Sequence, residues 1–361
     1  MVNKHISQLD VFRGLAALSV CAVHFTYDSV FHKYFAQGLF VQLFFTLSGF
    51  VIAYNYYNTL INFKDLSIFM LKRFKRLYPL HLFFLISFLL IELVKYILIS
   101  NFDISSNNQP FETNTVKNFF LNLFFIQHFD NQNSFNGPSW SISVEMMLYL
   151  SFGLILLLLR KKNLFLSLNF IYLIFFIIFL NATYGDTKSI TAYYSGMYSF
   201  SIGYLSYILY EKRKISSFLK SKNYFDILFY FFLLIFLLEI FYFHLLKQDY
   251  LYSIAFGLMI YYSCYLDNNF FLFKLVFNRF FVFLGKISYS IYMSHLFVFF
   301  MFDNLLKHVF KFQTKVDLNG NIVLDISKFE ANFFTIIIYF IVLLFSNFTY
   351  KNIELKYYKK N

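Results

Sequence analysis

Residues 9–27 read LDVFRGLAALSVCAVHFTY. The stretch is as long as a bilayer-crossing helix needs to be. Its charged or basic side chains are Asp10, Arg13 and His24. A charged side chain at the centre of a membrane helix costs on the order of 3 kcal/mol and marks a functional position by default. Arg13 and His24 are eleven positions apart. At about 100° per residue they return to one helix face, separated by about 16 Å along the axis. One face of one helix thus carries a cation near a membrane surface and an imidazole deep in the bilayer. Two plainer readings stand beside this: Arg13 can snorkel to the surface, and His24 can satisfy a neighbouring span. Asp10 and Arg13, three apart, can pair on the helix.

Composition points the same way as this segment. Of 361 residues 59% are hydrophobic and 14% charged, against about 25% charged in soluble domains. The expectation is an all-α, polytopic membrane helix bundle. Ten stretches are long enough, or nearly so, to span: near 9–27, 38–57, 79–99, 141–159, 164–181, 190–210, 224–246, 250–267, 281–303 and 332–350. Residues 119–129 form a shorter apolar stretch, read as interfacial or re-entrant. Ten spans place both termini on one side of the membrane.

Basic residues choose the side. With the N-terminus inside, the inner segments collect Lys72, Arg73, Lys75 and Arg76, then Arg160 to Lys162, Lys212 to Lys214 and the C-terminal lysines. The longer outer loops are poorer in lysine and arginine, so the positive-inside rule gives N-in and C-in. The net charge of +12 is then a topology signal and argues for no nucleic-acid partner. No internal repeat stands out and no loop holds a soluble domain, so residues 1–361 read as a single membrane domain. The first segment follows a short polar start without a cleavage motif, and reads as a retained signal anchor. Cys21 and Cys264 lie in apolar segments without metal-ligand spacing. No metal and no permanently bound cofactor is expected.

Three further stretches carry chemistry. In FMLKRFKRLYPLH, 69–81, Arg73 and Arg76 are three apart with lysines interleaved. On a helix they share a face that suits a phosphate-rich ligand, although inner-surface topology and anionic headgroups explain the same charges. Pro79 is expected to close this basic loop and start the next span. In GPSWSISVE, 137–145, the only Trp follows a Gly-Pro turn, and Glu145 lies about 7 Å further along the helix. A carboxylate that deep needs a partner or a wet cavity. On the assigned topology Glu145 and His24 both occupy the outer half of the bilayer and could pair. In GKISYSIYMSH, 285–295, Ser288, Tyr289, Ser290, Tyr292, Ser294 and His295 put a polar surface on an apolar span. Helix–helix hydrogen bonding accounts for the serines, and His295 is a second candidate for chemistry or acceptor binding. Glu92, Glu239 and His244 are not singled out by spacing.

These motifs, in this order, resemble the acyltransferase-3 family of integral-membrane O-acyltransferases. The resemblance rests on Arg13-Gly14 with His24, VQLFFTLSGF at 41–50, Arg73 and Arg76 with Tyr78-Pro79, WSISVE at 140–145 and LGKISYSIYMSH at 284–295. It covers Leu9 to about Glu354. It implies transfer of an acyl group, usually acetyl, from cytoplasmic acyl-CoA to a hydroxyl of an envelope polysaccharide or lipid-linked sugar. It implies His24 as the catalytic residue, Arg13, Arg73 and Arg76 in donor binding, and Trp140 and Glu145 in the functional core. Ser143, Tyr289 and His295 are taken as substrate or core support. The expected location is a multi-pass protein of a bacterial inner or plasma membrane, in contact with lipid. Gln42 stands where many members carry an acidic residue. Leu355-Lys356 replace the family's usual closing residues, so the closing glutamate is not carried over to Glu354. No appended extracellular domain is expected.

The mechanism this implies has acyl-CoA arriving from the cytoplasm and a sugar hydroxyl from outside, with His24 as general base, oriented by Glu145. An acyl-histidine intermediate is the alternative route. A transporter or flippase for a glycan or lipid intermediate is the alternative function. It would favour inverted repeats, which the sequence does not display.

Overall fold

A computed structural model describes residues 5–25, 27–30, 32, 39–102, 108–130, 134–159, 188–215, 228–231, 233–234, 249–266, 277–316, 320 and 322–358. The chain is mostly helical. In order come α1 (Ser7–His24), α2 (Phe40–Tyr56), α3 (Phe63–Phe102), α4 (Val116–Leu123), α5 (Trp140–Leu159), α6 (Lys188–Ile215), α7 (Asp249–Ser263), α8 (Arg279–Lys286), α9 (Ser288–Asn304), α10 (Lys328–Thr349) and α11 (Leu355–Tyr358). The expectation of an all-α chain needs one correction. An antiparallel hairpin pairs β1 (Thr314–Val316) with β2 (Ile322–Leu324), Lys315 opposite Val323. It is stapled by Lys315 to Asp325 at 2.8 Å.

By length and composition, three helical stretches among the described residues can cross a membrane: Phe63–Asn101, Gly137–Leu158 and Lys328–Tyr357. The broken pair α8 and α9 makes a fourth if counted as one span. The count of ten expected spans is not reached. α2 and α7 are apolar but shorter. The expected spans 164–181 and most of 224–246 lie outside the described residues.

Two local expectations are corrected. The basic stretch 69–81 is helix rather than loop, because α3 runs unbroken through Pro79 for 40 residues. Proline removes one intrahelical hydrogen bond, and membrane helices tolerate that loss where neighbouring groups re-satisfy the backbone. Here the Leu77 carbonyl, two residues before the proline, accepts from Tyr289 Oη at 2.6 Å. The expected span 281–303 is also broken: Ile287 separates α8 from α9. α8 begins cleanly because the Asn278 side chain accepts from the backbone N–H groups of Phe280 and Phe281.

The chain divides into two compact units. The first comprises Met1–Val20, Gln37–Arg73 and Val144–Ser288. Its central feature is the crossing of α2 and α6. A Cβ at Gly203 would stand 1.9 Å from the Thr46 carbonyl oxygen, and one at Gly49 would stand 2.0 Å from that of Phe200. Each helix therefore offers a glycine to the other's backbone, the small-residue contact that lets membrane helices pack without side chains between them. Beside it Ser199 and Ser253 share a 2.8 Å hydrogen bond, and Ser253 donates to Gln42 Oε1 at 3.3 Å.

The second unit comprises Cys21–Ala36, Phe74–Ser143 and Tyr289–Asn361. Its outer segment is tied down by Glu92. That buried carboxylate accepts from the Phe111 N–H and from Asn114 Nδ2, both at 2.9 Å, with Lys95 at 3.5 Å. The segment expected to be interfacial, 119–129, falls on the short helix α4 and the turn Gln127–Asp130. α4 is capped by the Thr115 side chain and hides Asn118 and Asn122 completely. α10 starts with a capping box between Ser327 and Glu330.

Candidate active site

α1 carries both residues that opened the sequence reading. Arg13 is half-buried, and His24 is the last residue of the helix, also half-buried. Within the second unit the His24 ring lies against that of His295, centroids 5.1 Å apart and planes tilted by 40°. His295 is fully buried on α9, and its Nδ1 lies 3.2 Å from the Ile291 carbonyl. The Tyr292 ring is 6.1 Å from that of His295. Tyr292 Oη donates to the Pro138 carbonyl at 2.8 Å and bonds Ser141 Oγ at 2.6 Å. The GPSW turn is therefore fastened to the helix that carries His295.

Other expected residues of this unit have clear partners. Ser143 is buried and donates to the Phe125 carbonyl at 2.6 Å. Phe125 holds φ at 59°, a conformation costly for a residue with a Cβ. Trp140, half-buried, sets its ring 5.3 Å from that of His128. Arg76 is half-buried on α3, one turn past Arg73.

In the first unit Arg73 and Glu145 belong to one side-chain chain. Arg73 Nη2 donates to Tyr56 Oη at 2.8 Å, and its Cζ sits 5.2 Å from the Tyr56 ring centroid and 5.8 Å from that of Phe69. Phe69 meets Tyr149 edge-on at 5.9 Å. Tyr149 donates to Glu145, which also accepts from Ser48 Oγ at 2.7 Å. Lys72 and Lys75 are exposed while Arg73 and Arg76 are half-buried. The arginine face and the lysine face are thus distinct, as their spacing required. Near the start of α1, Asp10 Oδ2 lies 3.0 Å from His5 Nε2. His24 and Glu145, expected as a pair, fall in different units, each with the partners just given.

Several members of these networks were not picked out from sequence. Tyr149 was within reach of the rules, because it follows Glu145 at i+4. Glu354 was set aside for its unusual neighbours, yet it is buried and accepts from Ser290 Oγ at 2.9 Å. His81 is buried, with Nε2 2.8 Å from the Asn122 carbonyl. Nothing in the spacing of His81, Gln127 or Asn136 announces burial. Among the described residues no cluster of His, Cys, Asp and Glu could hold a metal ion.

Residues 6–351 match the acyltransferase domain that defines the acyltransferase-3 family. No curated protein and no solved structure matches the chain. Since the match spans nearly the whole sequence, the chain belongs to the acyltransferase-3 family.

Proposed function

We propose that the protein is a membrane O-acyltransferase that moves an acyl group, acetyl by preference, from cytoplasmic acyl-CoA to a hydroxyl of an envelope polysaccharide or lipid-linked sugar. The observation that carries the reading is His24. It is an imidazole at the end of a helix, accessible on one side and backed by the buried ring of His295. Histidine is the side chain best matched to proton transfer near neutral pH.

In the proposed reaction His24 takes the proton of the sugar hydroxyl as its oxygen attacks the thioester carbonyl. The C–S bond breaks, and the departing CoA thiolate takes that proton back from the imidazolium. Ester and free CoA thiol are the products. Glu145 is retained as the second carboxylate-bearing catalytic position, with Ser48 and Tyr149 holding it in one orientation. Arg13, Arg73 and Arg76 are assigned to the CoA phosphates. The stacking of Arg73 on Tyr56 leaves a planar guanidinium with limited freedom, suited to a fork-like phosphate contact. The protein acts in a cell membrane of bacterial type, N-in and C-in, with no permanently bound cofactor.

The test is the purified protein with labelled acetyl-CoA and extracted envelope glycans. Label transferred covalently to the glycan is expected. Movement of the glycan across a vesicle membrane without label would make the protein a carrier instead. Changing Arg73 and Arg76 together to Lys keeps the charge that sets topology but loses the planar fork. We expect the KM for acetyl-CoA to rise about tenfold or more, with kcat changed far less. An unchanged KM would reduce the arginines to a topology signal.

A further inference from the structure

Five buried side chains of the second unit face backbone carbonyls. His81 Nε2 lies 2.8 Å from the Asn122 carbonyl, and Asn122 Nδ2 2.8 Å from that of Asn118. Gln127 Nε2 meets the Ser139 carbonyl at 3.1 Å, and Asn136 Nδ2 the Met293 carbonyl at 2.8 Å. His295 Nδ1 meets the Ile291 carbonyl at 3.2 Å. A carbonyl can only accept, so each contact fixes which side-chain atom carries the hydrogen. In the neutral imidazoles and the amides, the atoms left over are His81 Nδ1, Asn122 Oδ1, Gln127 Oε1, Asn136 Oδ1 and His295 Nε2. Every one is an acceptor, and every one is buried without a hydrogen-bond partner among the described residues. The hydroxyls of Ser134 and Ser139 share that condition. His81, Asn122, Gln127, Asn136, Ser139 and His295 are each at most 2% exposed.

These residues adjoin one another. The His81 ring is 4.5 Å from that of Phe125, whose carbonyl holds Ser143. Gln127 holds Ser139, and the neighbouring Pro138 carbonyl holds Tyr292, one turn from His295. His295 lies against His24. Buried polar groups are almost always hydrogen-bonded, and a cluster of exceptions calls for an external partner. Here the missing partner must bring donors. Phosphate dianions and carboxylates have none to give, whereas each hydroxyl of a neutral polyol gives one.

We propose that this shell, from His81 through residues 122–139 to His295, is a binding site for a neutral, multiply hydroxylated molecule, held by its own O–H groups. It is where the hydroxylated co-substrate is recognised, and it rests on the acyl-transfer reading only for which hydroxyl goes on to react. Water occupies the acceptors when the site is free and is exchanged for sugar hydroxyls on binding.

The single Trp of the chain, Trp140, follows Ser139 directly and so reports on the shell. The experiment titrates the full-length protein, in nanodiscs free of sugar detergents and without acyl-CoA, with glucose, N-acetylglucosamine and maltose. Glucose-6-phosphate is the anionic control, and Trp140 fluorescence is read. A saturable change with at least one neutral sugar is expected. Gln127→Met, which keeps the shape but removes the bare oxygen, weakens it about five- to tenfold. Ser139→Ala breaks no side-chain hydrogen bond of the hydroxyl, so its thermal midpoint matches wild type while sugar binding weakens in the same direction. No saturable response to any neutral sugar, equal responses in wild type and both variants, or preference for glucose-6-phosphate would overturn the assignment and leave water as the occupant. Sugar binding without covalent transfer in the labelled assay would overturn the acyl-transfer reading alone. Transfer without a sugar response would overturn this site alone.

Discussion

His24→Ala lowers acyl transfer by about 10²- to 10⁴-fold, the range a positioned general base contributes. The loss falls on kcat, because the imidazole acts as the hydroxyl oxygen attacks and does not hold the CoA phosphates. The protein still folds. His24 is the terminal residue of α1 and half-buried, so the truncation removes ring contact with His295 without opening the helix. His24→Gln keeps polarity and much of the volume but cannot take the proton at neutral pH, so it falls with Ala. The measurement is initial rate of labelled product at saturating acetyl-CoA, with size-exclusion profiles matched to wild type. Activity within tenfold of wild type in both variants would remove His24 from the role. Labelled acyl trapped on His24 would instead favour the covalent route.

The second large effect is structural. Gly203→Ala places a methyl 1.9 Å from the Thr46 carbonyl oxygen and 2.9 Å from the Phe50 nitrogen. Both are backbone atoms, so no rotamer change relieves the clash and α2 and α6 must move apart. Overpacking costs up to about 3 kcal/mol in ordinary cores, and a backbone clash belongs at the upper end. The expected result is a thermal midpoint lowered by roughly 5–10 °C, with less monodisperse protein recovered. Gly49→Ala should act alike, since its Cβ meets the Phe200 carbonyl at 2.0 Å. The pair should be less than additive, because either methyl alone opens the same crossing. A midpoint within about 1 °C of wild type for Gly203→Ala would mean that the helices do not approach this closely.

The legible part of the site was what helix periodicity encodes. Arg73 and Arg76 share a half-buried face opposite exposed Lys72 and Lys75, as their i, i+3 spacing predicted. Arg13 and His24 do ride on one helix. Pro79 misled, because a proline that ends helices in water is carried inside one here. Ile287 misled in the other direction: an apolar run with no proline or polar interruption at that residue nonetheless breaks. Glu354 was discounted on its neighbours, when its own burial beside Ser290 was what mattered.

By itself the sequence determined the helical character, the apolar stretches that become α3, α5 and α10, the family, and which ionisable residues stand in apolar surroundings. All of these follow from local composition and from a 3.6-residue repeat. The tertiary structure alone decided that Glu145 is held by Ser48 and Tyr149, that His24 meets His295, and that Gly49 and Gly203 face each other's backbones. It alone decided which buried atoms of His81, Asn122, Gln127 and Asn136 remain acceptors without partners. The reason is physical. A hydrogen bond is satisfied within about 3 Å in space, whereas Asn136 and the Met293 carbonyl, bonded at 2.8 Å, lie 157 positions apart in the chain.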